Sequence, residues 1–291
     1  MIVNGPRPLR LAALLLLPLA ACEPGVLHPV GPVAAGERTI LLNSLAIMLA
    51  IIVPTIIATL VFAWWFRAGN TKAKYRPDWS YSGQLELLVW SIPLLAIIFL
   101  AGIAWIGSHT LEPSRPLASR QRAIEVQVVS LDWKWLFIYP EQGVASINRL
   151  VIPVGTPVTF RITSATVMNS FFVPRLGSQI YAMSGMDAKL NLQADRPGRY
   201  RGLSAHYSGA GFADMTFPVD AVAPAAFGRW VASTRGAGPV LDAPTYMKLA
   251  AREATERPVT FRAVAPGLYD GVLHQAGTGT HQKLQHSGRV E

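Results

Sequence analysis

Two long apolar runs, about Ile40 to Phe66 and Leu85 to Gly107, restrict what this chain can fold into more than any other feature of its sequence. A bilayer core of roughly 30 Å is crossed by about 20 consecutive apolar helical residues, and both runs meet that length. Apart from Asn43, Ser44, Thr55 and Thr59, all uncharged, the first is apolar throughout and longer than the core is thick, so it should tilt or protrude. Pro54 should kink it, which lipid-embedded helices tolerate when neighbours satisfy the freed carbonyl. Trp64, Trp65 and Arg67 give it an interfacial end. A hydrophobic content of 51% and a mean hydropathy of +0.31 agree with a protein that lies partly in lipid.

What flanks the runs sets their direction. Met1 to Cys22 reads as a signal segment, with Arg7 and Arg10 ahead of an apolar stretch, Leu11 to Leu19, too short to span a bilayer alone. Leu19-Ala20-Ala21-Cys22 resembles the lipobox of bacterial lipoproteins. That resemblance implies removal of residues 1–21, a diacylglyceryl group on Cys22 and acylation of the new amino group. Residues 22–38, with Pro24, Pro29, Pro32 and several glycines, read as a linker on the outer face. The loop 67–84 carries Arg67, Lys72, Lys74 and Arg76 against Asp78, as cytoplasmic loops do. Lipidation outside and a basic loop inside give the same inward direction for the first span.

Charge and cysteine usage exclude other classes. The net charge of +9 comes without a basic run interleaved with stacking aromatics, so it indicates a basic surface on a membrane protein and no nucleic-acid partner. Cys22 is the only cysteine, which rules out a disulfide or a cysteine-based metal site within one chain. Glu86, one residue into the second span, can sit at the interface in the favourable field of the helix start. An ionisable residue in a membrane helix is also a functional candidate.

Beyond a linker at 108–122 the pattern turns to short β-rich runs bounded by Pro and Gly: Ala123–Ser130, Trp133–Tyr139, Leu150–Pro153, Pro157–Thr163, Lys189–Gln193 and Met215–Val219. Alternation in IEVQVV and VTFRIT fits half-buried strands, and the spacing predicts a β-sandwich or Greek-key barrel over 123–224. Two helices follow, Ala225–Ser233 and Pro244–Arg252, the second capped by Asp242, within an appendix over 225–270. The polar tail at 271–291 reads as disordered, and His274, His281 and His286 lack the spacing of a helical metal pair.

The segments TSATVMNSFFVPRLGSQIYAMSGM (Thr163 to Met186) and RYRGLSAHYSGAGFADM (Arg199 to Met215) resemble the copper-binding loops of subunit II of the haem-copper terminal oxidases. The family pattern is an upstream His joined by Cys-x-Glu-x-Cys-x-x-x-His-x-x-Met. Laid on this chain, it puts Asn169 at the first His, Ser204 and Ser208 at the cysteines, His206 at the Glu, Phe212 at the second His and Met215 at the Met. Only Met215 matches. Copper electron-transfer sites need thiolate and imidazole, and hydroxyls, a carboxamide and a phenyl ring do not replace them.

LDWKWLFIYPEQGVASINRL, with Trp133 and Trp135, is close to the equivalent stretch of the quinol-oxidising branch, where it faces the catalytic subunit. Without copper, docking or core packing is the role expected of those tryptophans. QLELLVWSIPLL resembles the family's second helix, whose glutamate lies at the mouth of a proton channel, a role that falls on Glu86. The resemblance implies a membrane two-helix hairpin plus an all-β cupredoxin-like Greek-key domain with a short C-terminal helical appendix. It implies subunit II of a bo-type quinol oxidase with no cofactor of its own, the haems and copper belonging to subunit I. Its partners would be subunit I, smaller membrane subunits, membrane lipid and the quinol pool. Its place would be the bacterial inner membrane, with the large C-terminal domain in the periplasm. Two other readings stand beside it, a copper-holding cytochrome c oxidase subunit and a lipid-anchored cupredoxin-like binding module. The missing cysteines oppose the first and the second span opposes the other.

Overall fold

The structure, a computed structural model, describes residues 25–74, 76–250 and 258–274. These fall into two compact units, one within residues 36–112 and one built from 25–35 with 113–274. The expected signal peptide, Cys22, His281 and His286 lie outside the described residues.

Two helices dominate the first unit, α1 (Pro32–Trp65) and α2 (Gly83–Thr110), both long and apolar enough to cross a membrane. The last carbonyls of α1 are closed by side chains. Arg67 donates to the Trp64 oxygen at 2.8 Å while its guanidinium stacks on the Trp64 ring, and Asn70 donates to the Trp65 oxygen. Gly107 of α2 comes so close to Ile40 of α1 that an added Cβ would lie 2.5 Å from its Cδ1. A small residue at such a point lets two helices approach.

The linker expected at 22–38 is helical from Pro32 onward, which corrects the sequence reading. Proline was counted as a breaker, yet at the first helical position its missing N–H is one that no helix pairs. The third helical N–H, of Ala34, donates to the Leu176 oxygen, and the Val30 N–H donates to the Arg175 oxygen. Val30, Val33 and Ala34 are buried. The segment is therefore fastened to the β unit, as is the end of the linker at 108–122, where Asn191 donates to the Pro113 and Ser114 oxygens.

The β unit stacks two sheets. The first orders β12 (Val259–Phe261), β3 (Val144–Ile147), β2 (Lys134–Tyr139), β1 (Ile124–Leu131), β5 (Val158–Ser164) and β8 (Ala188–Leu192). The second orders β4 (Leu150–Pro153), β10 (Thr216–Val222), β9 (Gly198–Ser204), β6 (Asn169–Phe172) and β7 (Ile180–Ala182). Parallel pairings of β1 with β5 and of β4 with β10 sit among antiparallel ones, so the chain crosses between sheets instead of meandering. Between the sheets lie Trp135, Phe137, Phe160, Phe171 and Phe217, with the Phe171 and Phe217 rings stacked at 5.6 Å. Burying each such ring contributes about 1.5–3 kcal/mol.

The region expected to be a helical appendix is helical only in part. Helices α3 (Pro224–Gly236) and α4 (Ala243–Ala250) form where they were expected, and Asp242 accepts the Thr245 N–H at the start of α4. But β11 (Val240–Leu241), β12 and β13 (Ala263–Val264) lie there too, and β12 pairs with β3 to extend the first sheet. Residues 268–274 form a further helical turn, α5, with Tyr269 and Val272 buried, inside the stretch expected to be disordered from 271. Leu241, Tyr246, Phe261, Tyr269 and Val272 cover the outer face of the first sheet against Val129, Leu131, Leu136, Ile138 and Ile147. Buried on both faces, β2 is apolar without alternation, as doubly covered strands are.

Candidate functional site

β6 and β9 are hydrogen-bonded neighbours, and the loop after β9 turns through a short 3-10 helix (Phe212–Asp214) into β10. This brings Asn169, Ser204, Ser208 and Met215 to one end of the sandwich. The Ser204 hydroxyl donates to Asn169 Oδ1 at 2.6 Å, and both side chains are buried. The Ser208 hydroxyl lies 3.5 Å from the Met215 sulfur, and Met215 is buried in the sheet-to-sheet core. The positions expected from the sequence thus come together as two closed pairs.

The remaining two positions lie further out. His206 is half-buried with its ring edge-on to Tyr181 at 6.0 Å, and Phe212 stands edge-on to Tyr207 at 5.6 Å. Trp133 lies under the loop. Its indole N–H donates to the Ser208 oxygen at 3.3 Å, and Gly211 passes so near that a Cβ there would lie 2.3 Å from Trp133 Cγ. Trp133 takes φ 58°, a backbone state bulky residues rarely adopt, so the loop fixes it firmly. The sequence reading placed Trp133 in a docking segment, whereas its contact with the loop and that of Tyr181 had no signal in spacing. Trp135 is wholly buried and packs edge-on to Phe171.

Copper does not fit this donor set. Two hydroxyls, a carboxamide, a phenyl ring and a thioether offer neither thiolate nor a pair of imidazoles. The Ser204 hydroxyl and the Asn169 oxygen already satisfy each other. Among the described residues no group of three or more His, Cys, Asp or Glu side chains is placed to hold a metal.

Elsewhere in the β unit, charge serves structure. Asp220 on β10 accepts from Arg149 and Arg199, both at 2.8 Å. Burial alone would raise its pKa, but those two guanidiniums bring it below the ordinary carboxylate value. Asp187 takes Arg161 on one side and the Tyr269 hydroxyl on the other, tying α5 to β5. Burial, then the bond to Asp187, pushes the Tyr269 phenol up. In the helical unit, Glu86 lies in the exposed first turn of α2, its N–H bonded to the Ser82 oxygen.

Residues 125–222 match the family described as cytochrome c oxidase subunit II, periplasmic domain. Ubiquinol oxidase subunit 2 of Acetobacter aceti is 48% identical over 264 residues, covering 90% of this chain and 85% of that one. Cytochrome bo(3) ubiquinol oxidase subunit 2 of Pseudomonas aeruginosa is 45% identical over 291 residues, covering 97% of this chain and 87% of its own. The chain belongs to the ubiquinol oxidase subunit 2 family. A crystal structure of the periplasmic domain of subunit II of cytochrome oxidase from Bradyrhizobium japonicum is 21% identical, covers 41% of this chain and 96% of its own, and superposes with a TM-score of 0.38. The resemblance drawn from the copper-loop frame and from QLELLVWSIPLL leads to this same ubiquinol oxidase subunit 2 family.

Proposed function

We propose that this chain is the non-redox subunit of a proton-pumping complex that oxidises membrane ubiquinol and reduces oxygen to water. It assembles with a catalytic subunit I that holds the haems and copper, and with smaller membrane subunits. Its two long apolar helices cross the inner membrane, its β unit lies in the periplasm, and Cys22 carries the lipid anchor. One observation carries the reading: the side chains at the copper-bearing positions of the frame are paired with each other as Ser204 with Asn169 and Ser208 with Met215.

Electrons from cytochrome c would need a relay in this domain, and these residues supply none. Quinol dissolved in the bilayer needs no such relay, because it delivers electrons to the catalytic subunit directly. The chain then contributes assembly, docking and, through Glu86 at the start of α2, a proton-entry point. The test is to purify the complex by a tag on this chain and supply ubiquinol or reduced cytochrome c. Ubiquinol-dependent oxygen consumption with no copper-thiolate absorption from this chain is the expected outcome. Efficient oxidation of cytochrome c overturns the reading.

A further inference from the structure

β9 alternates Arg199, Tyr200 and Arg201, so the two arginines share one side of the strand while the Tyr200 ring turns to the core. Arg175, in the turn after β6, lies with its guanidinium 5.0 Å from the Tyr200 ring centre and donates to the His28 oxygen at 3.0 Å. Arg175, Arg199 and Arg201 line one cleft of about 270 Å³ together with Gly25 and Tyr200, and no acidic side chain lines it. The nearest compensating carboxylate is Asp220, which Arg199 shares with Arg149. Across the strand from Arg201 stands Pro218, which carries no charge.

Arginine forks match the oxygens of a phosphate group in geometry and in charge. A cleft with three of them is a site for a phosphate monoanion or phosphodiester. Which source supplies it follows from the chain path. Gly25 is three residues past Cys22, and three Cα steps of 3.8 Å reach at most about 11 Å. An acylated Cys22 therefore keeps this cleft within that distance of the lipid head groups, where anionic lipid is concentrated. The Val30 N–H bonded to the Arg175 oxygen fixes the same segment to the cleft wall.

We propose that this cleft binds the phosphodiester head group of an anionic membrane lipid of the phosphatidylglycerol kind. The assignment goes beyond the oxidase role and takes from it only the acylation of Cys22. The experiment places photoactivatable phosphatidylglycerol or phosphatidylethanolamine, each reactive near its head group, in membranes holding the intact complex. Crosslinks are mapped by peptide mass spectrometry.

Phosphatidylglycerol should label the peptide around Arg199 to Leu203 several-fold more than phosphatidylethanolamine. R175Q combined with R201Q should lower the label to the phosphatidylethanolamine level, with haem spectrum and turnover unchanged. R201Q alone, on the exposed strand face, keeps the test decisive where loss of Arg175 disturbs its turn. Equal labelling by the two lipids, or labelling unaltered in R201Q, overturns the proposal. Labelling abolished by millimolar inorganic phosphate overturns the lipid as the source and leaves free phosphate as the ligand. The intact mass of the same preparation reports whether Cys22 carries its acyl chains, which separates a missing anchor from a cleft that does not bind.

Discussion

The Ser204 hydroxyl donates to Asn169 Oδ1 across 2.6 Å, between two side chains shut off from solvent. The residues are brought together by the pairing of β6 with β9, so their bond clamps two strands at the end of the sandwich. Ser204→Ala leaves the Asn169 oxygen buried without that donor, at a cost of about 1–3 kcal/mol. Together with Asn169→Ala in a double-mutant cycle, a coupling of about 0.5–3 kcal/mol is expected. Pulse proteolysis of the solubilised chain in urea measures it. Strict additivity would assign the bond no role in stability.

Asp220 predicts an acid-side dependence. Burial alone would raise its pKa, but bonds from Arg199 and Arg149 leave it below its ordinary 3.8. A carboxylate lowered on folding gives its full stabilisation above the unfolded pKa and loses it as pH falls through the folded one. Wild-type stability should therefore decline from about pH 4 downward, and Asp220→Asn should lack that part of the slope. Near neutral pH the variant should be less stable by about 1–2 kcal/mol through the loss of the Arg149 pair. Unfolding midpoints measured at several pH values decide it, and an Asp220→Asn slope matching wild type counts against the assignment.

Glu86→Gln keeps the size and most of the hydrogen bonding while removing the ionisable proton. If Glu86 admits protons, oxygen consumption should fall by about tenfold, or ~1.4 kcal/mol of added barrier, in a complex that still assembles. Unchanged consumption in a fully assembled variant reduces Glu86 to an interfacial carboxylate at a helix start.

Cys22→Ala should leave the precursor uncleaved or without lipid, while the two long apolar helices keep it in the membrane. The wild-type mature chain should begin at Cys22 and weigh more than its sequence mass. Intact-mass spectrometry showing an unmodified Cys22 would falsify the lipid assignment.

Both long helices, the strands with clear alternation and the two helices after Pro224 were legible in the sequence, because each is set by local periodicity or local capping. The strands β6, β7 and β9 were hidden in stretches whose residues read first as loops, since pairing across the second sheet creates them. β12 had a signal that local reading passes over. Pro-Val-Thr-Phe-Arg at 258–262 repeats Pro-Val-Thr-Phe-Arg at 157–161, and Val259–Phe261 and Val158–Ser164 are both strands. At the site, the pattern brought out the six positions, and the structure joins four of them as pairs while leaving His206 and Phe212 on aromatic neighbours. The arginine cleft escaped because Arg175, Arg199 and Gly25 are distant in the chain and only the fold gathers them.

The pairing of β12 with β3 also bears on the order in which this protein can be made. As the chain emerges across the membrane, β3 appears early and its outer edge has no partner until every strand of the second sheet has followed. An unpaired edge invites strands from other chains. Closure of the first sheet is thus a late event in biogenesis, and a nascent chain stalled before residue 259 would expose both that edge and the apolar outer face of β2 to whatever chaperone or protease meets it first.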